Sequence, residues 1–416
     1  MPQVNKLRTA LSGEIGGDTA PPSSARLRTA LTVFFALDGF LFAGWVVRIP
    51  AIKHQTGATP STLGLALLGV SAGAVITMML TGRLCRRYGS HAVTVVCGVL
   101  LSLSIALPAQ TGSALSLGLV LLLFGAAYGG MNVAMNSAAV DLVAAMRRPV
   151  MPSFHAAFSF GGMAGAGLGG LVAGSLSPAT HLLALTGVGL LVTAVTGPVL
   201  LRAGSAAAPP TEERVARTSG REGADRPEQP GRMSARARRI VILFGVIALC
   251  TAYGEGALAE WGALHLSQDL GAEPGLAAAG YSVFALTMAV GRLSGTALLE
   301  RFGQTLTLVA GGATAAAGML LGALAPSLWL ALAGFAVAGL GLANIFPVAV
   351  GRAGALAGPS GVAAASTLGY GGMLLGPPVI GFLADWFSLP VALVTVTLLA
   401  ATAAVLGYAA RNAANT

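Results

Sequence analysis

The sequence predicts an all-α integral membrane protein, with twelve transmembrane helices in two six-helix bundles related by an internal parallel repeat. Three observations predict it. Of 416 residues, 55% are hydrophobic, 9% are charged and 58 are glycine, with a mean hydropathy of +0.78; an average soluble domain carries about 25% charged residues. Apolar runs recur from Leu27 to Ala410, each of about 20 residues and so long enough to cross a hydrocarbon core of ~30 Å. Short strings in the first half also reappear, in order, in the second. The net charge of +9 and pI near 10.2 would point to nucleic acid in a soluble chain. Here the basic residues fall between apolar runs, where they report topology, so the expected partner is a lipid bilayer and not nucleic acid.

The runs place twelve spans at 27–49, 61–82, 91–108, 114–141, 153–176, 180–201, 239–264, 275–298, 304–325, 327–350, 362–384 and 389–410. The polar tail 1–26 lacks an apolar core followed by a small-residue cleavage site, so the first run reads as a signal anchor. Of the 24 Lys and Arg, Arg48 and Lys53 fall in outer loops and Arg292 at a helix end when both termini are inside, which leaves 21 on the cytoplasmic face. That bias orients the chain with both termini in the cytoplasm of a bacterial-type inner membrane. The stretch 202–238, rich in Ala, Arg, Glu, Pro and Gly, cannot build a core. It reads as a cytoplasmic linker joining a bundle at 27–201 to one at 239–410, with a short tail at 411–416. Cys85, Cys97 and Cys250 are odd in number, and two lie inside apolar runs, so no disulfide framework or metal cluster is expected, nor any cofactor.

The repeat is legible in three places. Asp38-Gly39 followed by Trp45 in span 1 matches Glu255-Gly256 followed by Trp261 in span 7. Phe160-Gly161-Gly162-Met163 in span 5 matches Tyr370-Gly371-Gly372-Met373 in span 11. Gly82 to Gly89 after span 2 matches Thr296 to Gly303 after span 8. The separations are 216 or 217, 210 and 214 residues, and three ordered matches at nearly one separation point to duplication.

With these strings, the twelve spans, the long central loop and a G-x-x-x-(D/E)-R-x-G type loop after spans 2 and 8, the chain resembles the major facilitator superfamily. Trp45 to Ile52, Glu255 to Trp261 and Gly371 to Gly381 resemble the branch that holds fucose permease. The resemblance implies alternating access by a monomer and, in that branch, a proton-coupled acid in span 1. It also implies gate or conformational roles for Arg86, Glu300 and Arg301. Arg86 stands where the family carries an acidic residue, whereas Glu300 and Arg301 fit the pattern, and Glu300 is placed to cap a helix or pair with Arg352. Span 4 has no Lys or Arg before Arg147, and span 5 has no proline from Gly161 to Gly174, unlike the drug and proton antiporters.

Several intramembrane polar residues are candidates for chemistry. Asp38, near the middle of span 1, costs about 2.5–3.5 kcal/mol to insert; it reads either as a proton site coupled to solute occupancy or as a carboxylate facing water or a neighbouring helix. Glu255 and Glu260 lie five positions apart, about 140° round a helix, so one is expected to line the cavity and the other to pack. Glu255 is preferred for proton coupling, against interhelical pairing, and Glu260 as a structural or gating residue. Tyr128, Asn132 and Asn136 form one helical stripe in span 4, suited to a hydroxylated solute or to interhelical hydrogen bonds. Asn344 in span 10 has a comparable place. His155 is a minor candidate for a proton relay to Asp141 or Asp38. Trp45, Trp261, Tyr281 and Tyr370 could wall a solute, but aromatic residues near helix ends are usually interface anchors, and of these Tyr370, well inside span 11, is the one expected at the solute. Gly165 to Gly170 satisfies G-x-G-x-x-G and Gly69 to Gly73 a nucleophile-elbow string, but both lie inside apolar helices without strand context.

The expected function is therefore secondary active transport of a small solute, proton-coupled, the polar uncharged cavity favouring a neutral sugar-like molecule. The alternative is proton-coupled efflux of an amphipathic metabolite or drug through a compliant Gly-, Ala- and Met-rich cavity. An intramembrane enzyme acting through Ser71 is disfavoured, as are a receptor and a channel.

Overall fold

Why each span starts and stops is written in its end residues. Thr59 caps span 2, accepting a hydrogen bond from Thr62 N with Pro60 in the first turn; Ser388 does the same for span 12 from Val391 N. Proline in a first turn sacrifices no helical hydrogen bond. In the computed structural model, which describes residues 22–146, 150–206 and 235–411, the chain is helical almost throughout. The spans run Pro22–Val46, Pro60–Tyr88, Ser90–Gln110, Ala114–Met146, Met151–Leu171, Pro178–Ala206, Ala235–Gln268, Pro274–Leu293, Gly295–Leu324, Leu328–Gly358, Ser360–Trp386 and Leu389–Ala409. Among the described residues eleven are long and apolar enough to cross a membrane by themselves. The twelfth, span 5, has the length but is diluted by glycine and His155. Residues 1–21 of the expected tail, 207–234 of the expected linker and 412–416 lie outside the described residues; at its margins the linker gives way to helix, which reaches 206 and resumes at 235.

The two halves repeat the same packing. Span 1 lies on 5 and 6, span 2 on 4, and span 3 on 4 and 6; spans 7, 8 and 9 contact 11 and 12, 10, and 10 and 12 in the same way. Positive-φ glycines mark the repeat at the backbone: Gly89 (φ 85°, ψ 143°) ends span 2 and Gly303 (φ 73°, ψ 170°) makes the same turn 214 residues later. The second half breaks earlier, at Ser294, so the expected span 275–298 becomes two helical segments.

Packing corrects the register of spans 1 and 7. A Cβ on Gly161 would fall 2.0 Å from Ala36 O, and one on Gly165 2.3 Å from Phe40 O. The corresponding close approach in the second half is Gly372 to Leu249 O at 2.2 Å, with Gly376 a looser 3.9 Å from Tyr253 O, so Ala36 and Phe40 correspond to Leu249 and Tyr253, a separation of 213, and the Phe160 and Tyr370 strings are themselves one residue out of step. Asp38 therefore corresponds to Thr251, and Glu255 to Phe42. The Asp-Gly and Glu-Gly strings match as letters and not as positions.

The halves meet along two seams, span 5 against span 8 and span 2 against span 11. Termini and spans 1 and 12 define a near end; the seams tighten toward the far end. There, Cβ atoms on Gly64 and Gly381 would clash with Pro377 O and Pro60 O, Gly170 lies against Gly275, and Asp385 Oδ2 accepts a hydrogen bond from Ser61 N at 2.9 Å. Arg48, expected in an outer loop, is 2% exposed. Its Nε donates to His181 Nδ1 at 2.8 Å and its Nη atoms donate to Ala173 O and Val172 O, where a cation complements the carbonyl end of span 5.

Candidate functional site

Where the seams part, midway along the spans, lies a cavity of about 190 Å³. Span 1 contributes Phe42, span 2 Ser71 and Met78, span 4 Tyr128 and Asn132, span 5 Phe158, span 7 Glu255, Ala259 and Glu260, span 8 Tyr281 and Phe284, and span 11 Tyr370 and Met373. One floor of it is aromatic: Phe42 stacks on Tyr128 at 5.1 Å and Tyr128 on Phe124 at 6.4 Å. Ser71 Oγ donates to Met373 O at 3.0 Å, tying the two halves together at the cavity wall. Toward the near end Tyr370 is 37% exposed and His155 is exposed, so the cavity opens that way.

Asp38 lies one shell behind this wall. It is fully buried, and among the described residues neither carboxyl oxygen has a hydrogen-bond partner; its polar neighbour is the Asn132 side chain. Asn136 does not reach the cavity. Its Nδ2 donates to Asn132 O at 2.8 Å and Asn132 Oδ1 at 3.3 Å, which orients the Asn132 amide with its own N–H groups free for Asp38 or for a solute. The expected stripe is thus divided in labour: Tyr128 and Asn132 face the cavity, and Asn136 positions Asn132.

Glu255 and Glu260 both line the cavity, against the expectation that only one would. The cavity subtends a wide arc of span 7, with Gly256 and Ala259 filling the sector between the two acids, and so accommodates their ~140° separation. Glu255 Oε2 accepts a hydrogen bond from Arg292 Nη2 at 3.1 Å, and the two side chains are 28% and 31% exposed. Arg292 carries no helical signature that would mark it, because its position at the end of span 8 reads as topology charge. Glu260 is 7% exposed, and its Oε2 is buried without a partner among the described residues. The expectation of an uncharged cavity is thereby corrected.

The remaining candidates fall elsewhere. Asn344 Nδ2 donates to Gly291 O at 2.8 Å and the residue borders a separate cavity of about 350 Å³ among spans 8, 9 and 10. It stands 214 residues after Gly130, whose neighbours Thr77 and Thr81 match the Gly291 and Gly295 beside Asn344, so it joins helices and has no face on the solute cavity. His155 packs edge-on to Phe35 at 5.6 Å, and no hydrogen bond among the described residues joins it to Asp141 or Asp38. Arg86, Glu300 and Arg301 are exposed at the near end. Arg352 donates to Gln304 at 2.8 Å, which replaces the expected pairing with Glu300. Trp45 and Trp261 are 1% and 0% exposed, core residues and not interface anchors, whereas Tyr281 joins the cavity wall.

Two six-helix halves of like packing, closed at one end around a mid-depth cavity with a few polar groups in an apolar wall, have the arrangement of a secondary transporter. The profile of the Major Facilitator Superfamily matches residues 29–261 and 245–415, and the chain belongs to that superfamily. It is 32% identical over 388 residues to an uncharacterized MFS-type transporter of Yersinia pestis, covering 92% of this chain and 95% of the relative. An uncharacterized transporter of Sinorhizobium fredii is 35% identical over 382 residues (89% and 95%), and the membrane protein MosC of Rhizobium meliloti 30% over 377 (89% and 87%). Among solved structures, a bacterial homologue of the human lysosomal transporter Spinster, inward-facing and unoccupied, superposes with a TM-score of 0.71 at 16% identity over 94% of this chain and 97% of that one. The nucleoside transporter NupG gives 0.66 at 14% over 92% and 98%. These likenesses establish the superfamily and do not reach the fucose-permease-like branch. Members of the superfamily move solutes across a membrane without transforming them, so the chain is a multi-pass membrane transporter and not an enzyme.

Proposed function

We propose that the protein is a proton-coupled importer of a small hydroxylated, sugar-like solute, working as a monomer with both termini in the cytoplasm, so that the cavity described above opens inward. The observation that carries this reading is Asp38: a fully buried carboxyl whose polar neighbour is the Asn132 side chain, which itself faces the cavity. An ionised carboxylate left alone in an apolar interior is costly, and a mobile proton is the counter-charge that can arrive and leave with the solute. Asn132 links the two sites, since its amide can serve Asp38 or a solute hydroxyl but not both fully. Tyr128, Phe42 and Tyr370 supply flat walls for a ring, and Asn136 holds the amide in place.

External pH recorded while sugars and polyols are added to deenergised cells tests this. Alkalinisation with one solute, abolished by Asp38→Asn, is expected; alkalinisation that persists in Asp38→Asn would remove Asp38 from coupling. Phe42, Val70, Val75, Met78, Phe158 and Phe284 make much of the cavity wall apolar, which favours efflux of an amphipathic compound as a second reading. Acidification on adding such a compound, with silence across the polyols, would select it.

A further inference from the structure

The central cavity has a carboxyl group without a counter-charge among the described residues. Of its two carboxylates, Glu255 is neutralised by Arg292 at 3.1 Å. Glu260 has no ion pair among the described residues, and its buried Oε2 has no hydrogen bond, although the side chain is 7% exposed and faces the cavity. Nothing else in the wall is basic. A carboxyl held this way is met either by a proton or by a cation, and the cavity it faces is the space a solute would fill.

The walls indicate what kind of cation fits. A bare metal ion needs several oxygen ligands converging on one point, and no cluster of three or more acidic, His or Cys side chains exists among the described residues. An organic ammonium needs one carboxylate and aromatic faces, and the cavity has Phe42 stacked on Tyr128 and Tyr281 tilted against Phe284 at 6.2 Å. We infer that the solute carries a protonated amine whose charge is met by Glu260, so that the substrate class is an aminated polyol or amino sugar in place of a neutral one. This rests on the central cavity being the solute site and is separate from the role of Asp38.

The test uses the full chain in proteoliposomes and compounds paired by amine and hydroxyl: glucosamine with glucose, and ethanolamine with ethylene glycol. Thermal stabilisation in detergent reads binding, and uptake reads transport. Expected is an amine preferred over its hydroxyl twin at least tenfold, the preference lost in Glu260→Gln and retained in Glu260→Asp. A second measurement needs no substrate. With Cys85, Cys97 and Cys250 replaced, a cysteine introduced by Ser71→Cys should react faster with a trimethylammonium-bearing thiosulfonate than with a neutral one, and the ratio should fall several-fold when Glu260→Gln is added. Equal handling of amine and hydroxyl compounds, no response to any amine, or a reagent ratio unchanged by Glu260→Gln would each overturn the inference. Proton-coupled uptake of a neutral sugar, lost in Asp38→Asn but intact in Glu260→Gln, would overturn it while leaving the proposed function standing.

Discussion

Substituting Gly64 by Ala should open the far end of the bundle. The new Cβ would lie 2.4 Å from Pro377 O, 3.1 Å from Pro377 C and 3.2 Å from Pro378 Cα, all backbone atoms that no rotamer change can move. Because real Cβ contacts stay above 3.0 Å, spans 2 and 11 must separate there by at least 0.6 Å. Overpacking of this kind costs about 1–3 kcal/mol. The strain exists only while the far end is closed, so it biases the two-state equilibrium toward the opposite conformation by about 5- to 150-fold. Spin labels on Thr59 and Phe387, both exposed beside this seam, would report the separation by pulsed dipolar spectroscopy. A longer-distance population should grow in Gly64→Ala, with span insertion and yield unchanged. A distance distribution identical to that of the parent protein would refute the argument that the seam is a steric gate.

Other substitutions probe the remaining contacts. Asp385→Asn weakens the cap on Ser61 N, an effect of about 0.5–2 kcal/mol, and should shift the same spin-label distances in the same direction as Gly64→Ala but less. Arg292→Gln leaves Glu255 unpaired; with both side chains about 30% exposed, the loss falls between the ~0–1 kcal/mol of a surface pair and the ~3–5 kcal/mol of a buried one. Uptake should fall in Arg292→Gln and partly recover when Glu255→Gln is added. Asn136→Ala removes the bond that orients Asn132, worth about 0.6 kcal/mol, and should raise the half-saturating solute concentration roughly threefold at unchanged maximal rate. Asn344→Ala should do the reverse, lowering the melting temperature while leaving that concentration alone.

How much of this was legible in the sequence depended on which physical signal each residue leaves. Span length and apolarity are local, and most helix ends came out within about six residues, while span 9 begins at Gly295, after the break at Ser294, and span 10 runs on to Gly358. Gly89 and Gly303 were readable as counterparts because their loops keep a common separation of 214. Asp38 and Glu255 were not counterparts, because equivalence is set by which small residues let backbones touch, and Gly161 on Ala36 and Gly372 on Leu249 are contacts between distant segments. Depth and helical phase pointed to Tyr128, Asn132 and Tyr370, all three of which line the cavity. Arg292 was missed because a cation at a helix end is ordinarily a topology marker, and only the tertiary arrangement brings Glu255 to it. The separation of Glu255 from Glu260 was correctly computed, but the width of the cavity they share is a property of the whole bundle.

At the far end the seams bring backbone against backbone: Gly64 and Gly381 on spans 2 and 11, Gly170 and Gly275 on spans 5 and 8. Surfaces of that kind have no rotamers to reset, so a roll of one half over the other would break few side-chain contacts, the Ser71 and Asp385 hydrogen bonds among them. Gate timing and solute choice are then inherited through different residues. A lineage that keeps the small residues of the seams is free to change Asn132, Tyr281 or Glu260 and acquire a new cargo while keeping the old mechanism of movement.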